Sequence, residues 1–319
     1  MKRLRLFRVH NVYHLGDPIY FTAKLRCLVW PNYSLPSMPF NTGQEKLVHL
    51  DMSNSSIREL GKGFKLFRNL KSVNFSRCTL LSEIPDVLSL PNLESLDLRQ
   101  CPNLVKVHQS LGGLAKGSSD HTNFYPRLAL PSLTQLFLYG CSLSEVKILK
   151  NLDCASSMTR LDLLGNEIVH LPRCIGQFTK LYNLHLEDCK QLWEILALPP
   201  SLANLCARGC ESLESCPYLS HMSQYDGFKK MEYLNFQFED CHKLVQDQCS
   251  NNCSVLSIEG LLGPYEVQII HPGSKMPKWF VHQCSNNCTM LSVEEFLEVT
   301  EAGISFPGRK VDPQFRKEV

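Results

Sequence analysis

Residues 70–78 read LKSVNFSRC and residues 93–101 read LESLDLRQC, and these two stretches decide the fold. Both fit the pattern LxxLxLxxC, in which Asn can replace the final Cys, and they begin 23 residues apart. Further copies begin at Leu47, Leu133, Met158, Leu181 and Leu202, and looser ones begin at Leu4 and Leu25. Self-similarity at such a fixed period predicts a solenoid built from stacked repeats.

The repeat pattern has a direct physical meaning. Side chains alternate across a β-strand, so the paired apolar residues of LxL lie on one side of a short strand. Proline in the second half of several repeats suits an irregular convex side. We therefore predict an α/β-type leucine-rich-repeat solenoid over residues 1–220, with a curved parallel sheet on its concave face. The 40-residue interval from Leu93 to Leu133 predicts a loop insertion at about 112–131.

The cysteine position of the repeat predicts a column of small buried groups. Free cysteine is among the most buried residue types. We expect buried, unbridged thiols at this position, namely Cys78, Cys101, Cys141, Cys189 and Cys210. The N-terminus lacks the unbroken apolar stretch of a signal peptide, and the 15 cysteines are an odd number. These features favour a reducing compartment, so we predict the cytoplasm, with the nucleus as an alternative.

Composition excludes several classes of function. Hydrophobic residues make up 44% of the chain, and 33 Lys and Arg balance 31 Asp and Glu, so neither nucleic acid nor a membrane surface is predicted as a partner. The sequence contains no phosphate-binding GxxxxGK[ST] loop and no nucleophile-elbow string. We predict no enzyme activity, no cofactor and no metal.

The amino-acid sequences of the repeats resemble those of one protein family. KLRCLVWPNYSLPSMP, LVHLDMSNSSIREL and PNLESLDLRQCPNLVKV are similar to repeats of plant intracellular immune receptors, the TIR–nucleotide-binding–leucine-rich-repeat (TNL) disease resistance proteins. The resemblance covers residues 1 to about 220. It implies recognition of a protein, either a pathogen effector or a guarded host target, with signalling in the defence response. It also implies an autoinhibitory contact with the nucleotide-binding domain of a full-length receptor.

The C-terminal part carries a second resemblance. NFQFEDCHKLVQ and the later PGSKMPKWF are similar to the start of the jelly-roll/Ig-like domain (C-JID) that follows the repeats in this family. We predict a partial all-β domain of this type over residues 228–319. QCSNNCSVLSIE (248–259) recurs as QCSNNCTMLSVE (283–294), with nine of twelve residues identical. Duplication explains the cysteine pairs within these stretches better than zinc binding or redox activity does.

The chain departs from the family pattern at both ends. It carries neither the TIR nor the nucleotide-binding domain, so their activities are not transferred to it. Met1 falls within what resembles the first repeat, which predicts a fragment, a truncated product or a partial gene. Three hypotheses remain open: a recognition module, a degenerate fragment with a structural or scaffold role, and an extracellular receptor fragment. Sequons such as Asn54-Ser-Ser support only the last.

The side chains between the core leucines should point out of the concave sheet. Large aromatic and Arg side chains dominate interface hot spots. The Ser and Asn rows at 72–76 are interpreted as merely solvated. We predict partner binding by Arg99, Phe137, Tyr139, Arg160, Asp162, Leu164, His185, Glu187 and Arg208, with a contribution from Trp279 in the C-terminal domain.

Overall fold

A computed structural model describes residues 3–9, 12, 22–37, 45–60, 64–84, 90–104, 106–107, 131–144, 157–216, 233–245, 256–257, 266–271, 280–281 and 288–292. It contains short strands joined by turns and by three 3-10 helices, at Phe64–Leu66, Arg173–Gln177 and His242–Val245. The strands are β1 (Leu6–Arg8), β2 (Cys27–Val29), β3 (His49–Asp51), β4 (Ser72–Asn74), β5 (Glu83–Ile84), β6 (Ser95–Asp97), β7 (Lys106–Val107), β8 (Gln135–Phe137), β9 (Arg160–Asp162), β10 (Asn183–His185), β11 (Asn204–Cys206), β12 (Tyr233–Gln237), β13 (Leu256–Ser257), β14 (Glu266–His271), β15 (Phe280–Val281) and β16 (Cys288–Ser292).

Twelve of these strands form one parallel sheet. Its order is β1-β2-β3-β4-β6-β8-β9-β10-β11-β12-β14-β16, and every pair within it is parallel. The register follows the repeat, because Val73 pairs with Leu96 and Leu136 pairs with Leu161. The prediction of a parallel leucine-rich-repeat solenoid with one strand per repeat is confirmed over residues 6–206.

Among the described residues, the interval of 40 residues adds no strand to the main sheet. Strand β6 pairs directly with β8, as adjacent repeats do elsewhere, and β7 pairs with β5 in a separate two-stranded sheet. The predicted insertion at about 112–131 lies almost wholly outside the described residues.

The core consists of the apolar positions of the repeat. In strands β2–β4, β6 and β8–β11 the central residue is fully enclosed, as at Leu50, Leu136 and Leu184, and so are the flanking residues Leu138 and Leu186. Full burial of one such side chain stabilises the fold by about 1.5–3 kcal/mol. Stacking the repeats therefore turns a weak local pattern into one continuous apolar column.

Strands β2–β4, β6 and β8–β12 are each followed by a turn whose last residue has a left-handed backbone. The φ values at this position lie between 54° and 70°, and the residues are Asn32, Asn54, Arg77, Gln100, Gly140, Gly165, Asp188, Gly209 and Asp240. The backbone N–H of this residue donates to a carbonyl of the following repeat, for example from Arg77 to Arg99 O at 2.7 Å and from Gly165 to Glu187 O at 2.8 Å. These bonds continue the sheet beyond its strands.

The next residue in each turn faces the interior, and these residues stack from repeat to repeat. We call this stack the ladder and each of its residues a rung. The rungs are Tyr33, Ser55, Cys78, Cys101, Cys141, Asn166, Cys189, Cys210 and Cys241. The Cys78 thiol donates to Met52 O at 3.2 Å, and the Cys101 thiol donates to Phe75 O at 3.3 Å, so a thiol ties each repeat to the one before. The five thiols predicted to be buried are buried and free. Burial raises the pKa of Cys101 and Cys189 to about 12.

The solenoid continues where the sequence predicted another domain. Strand β12 pairs in parallel with β11, and Phe236, Phe238 and Cys241 are buried in repeat positions. NFQFEDC is therefore one more repeat with aromatic residues in place of leucine. Strands β14 and β16 extend the same sheet, and no antiparallel pair occurs among the described strands. The jelly-roll/Ig-like domain stays a prediction, because most of residues 228–319 lies outside the described part. Within the described residues, no helix has the length and apolar character needed to cross a membrane.

Candidate functional site

The strands present a second face opposite the core, which we call the open face. It is the face predicted to be concave, and it carries three columns of side chains. The first column over β6–β12 holds Ser95, Gln135, Arg160, Asn183, Asn204 and Asn235. The second holds Asp97, Phe137, Asp162, His185, Cys206 and Gln237. The third, two residues further along, holds Arg99, Tyr139, Leu164, Glu187, Arg208 and Glu239.

A phenylalanine between two guanidinium groups marks the middle of this face. The Cζ atom of Arg99 lies 5.4 Å from the centroid of the Phe137 ring, and that of Arg160 lies 5.3 Å from it. Both contacts are within cation–π range. The sequence predicted all three residues as binding residues, and the structure brings them together in one cluster across β6, β8 and β9.

Two buried carboxylates flank the ring in the second column. Asp97 binds Arg99 through both oxygens, with Nη2 to Oδ2 at 2.6 Å, and the hydrogen bond raises the pKa of Arg99. Burial raises the pKa of Asp162, although the Leu164 N–H donates to this carboxylate at 3.2 Å. Asp162, predicted as a contact residue, is therefore buried and supports the turn that follows β9.

The predicted apolar contacts Tyr139 and Leu164 are only half-buried rather than freely exposed. The reason at Tyr139 is the next repeat: a Cβ placed on Gly165 would lie 3.3 Å from the Tyr139 ring, so the ring packs against a glycine backbone. Among the described residues, the most exposed large apolar side chains of this region lie elsewhere, as at Tyr182 and Trp193. Trp193 donates from Nε1 to Glu214 Oε2 at 2.6 Å.

The C-terminal half of the open face is acidic and hydrogen-bonded. Glu187 Oε1 lies 3.3 Å from His185 Nδ1, and the Cys206 thiol lies 3.2 Å from Gln237 Oε1. Burial opposes charge on Glu187, but hydrogen bonds with His185 and Cys206 outweigh it and lower its pKa. Burial raises the pKa of Cys206, reinforced by the negative charge of Glu187. The carboxylate of Glu187 is thus ionised at neutral pH, while the thiol keeps its proton.

Sequence reasoning missed Glu239, which extends the third column beyond the exposed Arg208. Burial raises the pKa of Glu239, and the charge of Arg208 works in the opposite direction. The signal was present in the sequence, because Tyr233, Phe236, Phe238 and Cys241 have the spacing of the repeat. The predicted contact Trp279 lies outside the described residues. Within the described part of the chain, no group of three or more metal-ligating side chains converges.

The repeat register and the open face define a leucine-rich-repeat protein. The chain is 31% identical to the TMV resistance protein N of Nicotiana glutinosa over 229 residues, which covers 68% of the chain and 20% of the relative. It is 26% identical to disease resistance protein RML1B of Arabidopsis thaliana, covering 86% of the chain and 30% of that protein. The chain is distantly homologous, over most of its length, to plant TIR–nucleotide-binding–leucine-rich-repeat disease resistance proteins. No family profile matches it.

The chain spans about a fifth to a third of the length of these curated relatives. Solved structures similar to it include the leucine-rich repeat domain of the type III effector XopL. That likeness has a TM-score of 0.47 and 20% identity, and covers 85% of this chain and 77% of the other.

Proposed function

We propose that this chain is the protein-recognition module of an intracellular plant immune receptor. In this proposal the open face over β6–β11 contacts a pathogen effector or a guarded host protein, and the contact contributes to the defence response. The Arg99–Phe137–Arg160 cluster carries the proposal. The homology to resistance proteins supports the receptor context.

The chemistry of the cluster favours a protein partner. Arg and aromatic side chains are enriched among the residues that dominate binding energy, and such residues concentrate near the middle of an interface. The Phe137 ring contacts both guanidinium groups, so three side chains are held in place before a partner arrives. Rigid side chains lose less conformational entropy on binding. A solenoid offers an extended surface of this kind on one face of its sheet.

Neighbouring residues enlarge the proposed contact. Tyr139 and Leu164 supply apolar area, and His185, Glu187 and Arg208 supply polar groups in adjacent rows. A contribution from Trp279, in a jelly-roll/Ig-like C-terminal domain, belongs to the same proposal. So does an autoinhibitory contact between the repeats and the nucleotide-binding domain of a full-length receptor.

The experiment uses the receptor gene that encodes this chain, expressed in leaves together with pathogen effectors. Cell death identifies the recognised effector, and co-precipitation followed by a binding titration measures the affinity. Arg160→Ala and Tyr139→Ala should each weaken binding by about 1–3 kcal/mol, which is about 5- to 150-fold. The loss should arise from the interface, so thermal unfolding of the variant chains should stay close to that of the parent.

Ser72→Ala is the matched control, since Ser72 lies on the same face three strands before Arg160. It should leave binding and cell death unchanged. If Tyr139→Ala and Arg160→Ala bind normally while substitutions on the proline-bearing side abolish recognition, the wrong face has been chosen. If no substitution on either side matters, the scaffold role replaces the recognition role.

A further inference from the structure

The edge at which the chain enters the main sheet carries two rows of side chains. One row lies just before the first apolar residue of each repeat and the other lies just after it. Backbone bonds hold the second row in register, as from the Arg26 N–H to Arg5 O and from the Val48 N–H to Arg26 O, both at 2.7 Å. In the repeats of β1–β3, five of the six side chains in these rows are cationic. We call these five residues the basic edge: Arg3, Arg5, Lys24, Arg26 and Lys46.

The side chains of the basic edge are exposed. Within the described part of the chain, the ion pair found along this edge joins Lys71 to Glu94, beyond the basic edge. Glu45 is the acidic residue next to the basic edge among the residues that the structure describes. Strands are about 4.8 Å apart and each residue adds about 3.3 Å, so five positive charges arise from a backbone area of about 10 Å by 7 Å.

The same two rows are nearly uncharged further along the solenoid. Over β8–β11 they hold Ser, Thr, Tyr and Ala, and Lys180 is the single charged residue in them. The near-neutral total charge of the chain predicted neither a membrane surface nor nucleic acid as a partner. That total conceals a local segregation, because the cations of the entry edge are concentrated in its first three repeats.

We propose that the basic edge binds the surface of a membrane that contains anionic phospholipids. Each Lys or Arg held near such a surface strengthens binding about fivefold, and clusters of about four to eight suffice for recognition. Lipid headgroups move within the plane of the membrane, so they can gather at a row of cations that offers no pocket. The basic edge is a different surface from the open face, and the inference goes beyond the proposed function.

Two observations favour a lipid surface over other polyanions. Leu6 follows Arg5 directly and is 52% exposed, the largest exposed fraction among the large apolar side chains of the described residues. An apolar group beside cations suits the boundary between headgroups and acyl chains. Proteins that bind single-stranded nucleic acid combine cations with aromatic stacking platforms. The described residues of the repeats of β1–β4 present no exposed aromatic side chain at this edge.

The test measures co-flotation of the full 319-residue chain with lipid vesicles. Vesicles of phosphatidylcholine and phosphatidylserine should bind the chain, and vesicles of phosphatidylcholine alone should not. The triple variant K24Q/R26Q/K46Q should weaken binding about 100-fold, since each of three cations contributes about fivefold. Salt at about 1 M, which shortens the Debye length to about 3 Å, should release the parent chain. Leu6→Gln should weaken binding by a smaller factor and leave the salt dependence unchanged.

The matched control is K180Q/K190Q/K243Q, which removes the same net charge from exposed lysines elsewhere on the solenoid. It should bind vesicles nearly as the parent does, and thermal unfolding of both triple variants should match the parent. Equal losses in the two variants, no binding to anionic vesicles, or equal binding to both kinds of vesicle overturns the inference.

Nucleic acid is the competing outcome. If a single-stranded or duplex oligonucleotide binds more tightly than anionic vesicles, and K24Q/R26Q/K46Q weakens only that binding, the basic edge is a nucleic-acid surface and the inference fails. Tyr139→Ala and Arg160→Ala on the open face should bind vesicles normally. Failure at the basic edge therefore leaves the proposed function standing.

Discussion

The open face is built in two different ways along its length. In strands β3, β4 and β6 the last residue is Asp or Asn, and its side chain accepts the N–H two residues later, as from Ser53 to Asp51 and from Ser76 to Asn74. Over β8–β12 that position holds other residues except at Asp162, and the left-handed turn residue is often glycine, as at Gly140 and Gly209. In the first region, the Asp and Asn side chains are therefore used to close the turns of their own repeats.

The two regions differ in whether the side chain at the end of the strand has a structural role. Where Asp or Asn closes the turn, the side chain is occupied and its identity is fixed by the backbone. Where glycine adopts the left-handed conformation without a steric penalty, the turn depends less on its neighbours. Beside Gly140 and Gly209 the second-column position is released from this role and holds Phe137 and Cys206. His185 is also released, although its turn residue is Asp188, and Asp162 keeps the role beside Gly165. Among the described residues, the buried atoms without a hydrogen-bond partner, Arg160 Nε, Glu187 Oε2 and Glu239 Oε2, all belong to this second region.

The largest effect is expected from the ladder rung within the second region. Asn166 Nδ2 donates to Leu138 O and Leu163 O, and its Oδ1 accepts from the N–H of Cys141 and of Leu143. Asn166→Ala leaves several of these buried groups unsatisfied and should cost about 3 kcal/mol of unfolding free energy. Urea denaturation measures the loss.

Cys101→Ala is the comparison for that rung, because Cys101 makes a single strong ladder contact, from its thiol to Phe75 O. We expect a cost of about 1 kcal/mol. Equal losses from the two substitutions would show that the ladder is held by packing alone and that the amide adds nothing.

A smaller effect concerns the pH dependence of stability. The thiol of Cys101 ionises near its ordinary pKa of 9.0 in the unfolded chain, whereas burial raises the folded pKa to about 12. Its stabilising contribution is complete below pH 9 and is lost as the pH rises towards 12. Between about pH 9 and 11, Cys101→Ala should flatten the fall in unfolding free energy by about 1.4 kcal/mol per pH unit. Denaturant titrations at several pH values give the slope.

Ser76→Ala serves as the reference for this slope, since it removes a neighbouring polar side chain that does not titrate. Its pH dependence should match that of the parent chain. A Cys101→Ala slope identical to the parent's would mean that the thiol ionises equally easily in both states and is not enclosed.

The sequence predicted every strand of the main sheet from β1 to β11, because the LxL spacing alone specifies where such a strand lies and which side is buried. It did not predict β5 and β7, which lie outside the LxL segments. It did not predict the repeat at β12, since Phe236 and Phe238 replace the expected leucines. It also placed Tyr139 and Leu164 as exposed. Their half-burial depends on side chains and glycines of adjacent repeats, such as Gly165, and no single repeat contains that information. The Arg99–Phe137–Arg160 cluster spans three repeats. The sequence nevertheless predicted its members, because each lies at a position of its repeat that faces away from the core.

The smallest effect tests the comparison between the two regions directly. Asp51→Ala removes the acceptor for the Ser53 N–H and should cost about 1 kcal/mol. His185→Ala, at the equivalent position of the second region, leaves no turn N–H without its acceptor and should cost less than Asp51→Ala, because only the contact with Glu187 is lost. Thermal or urea unfolding of the two variants under identical conditions decides the matter. A loss at His185 as large as that at Asp51 would end the distinction between structural and released positions.

The direct pairing of β6 with β8 has an evolutionary consequence. These strands are joined by a longer stretch of chain than other neighbours, yet their register is the ordinary one. In the described repeats the turn N–H donates one bond forward, and where the rung is Cys or Asn its side chain donates another bond backward. Whole units, or the segments between them, can therefore be gained or lost by recombination without rewriting the contacts of the remaining units. A lineage with this architecture can vary the length of its open face in steps of one repeat.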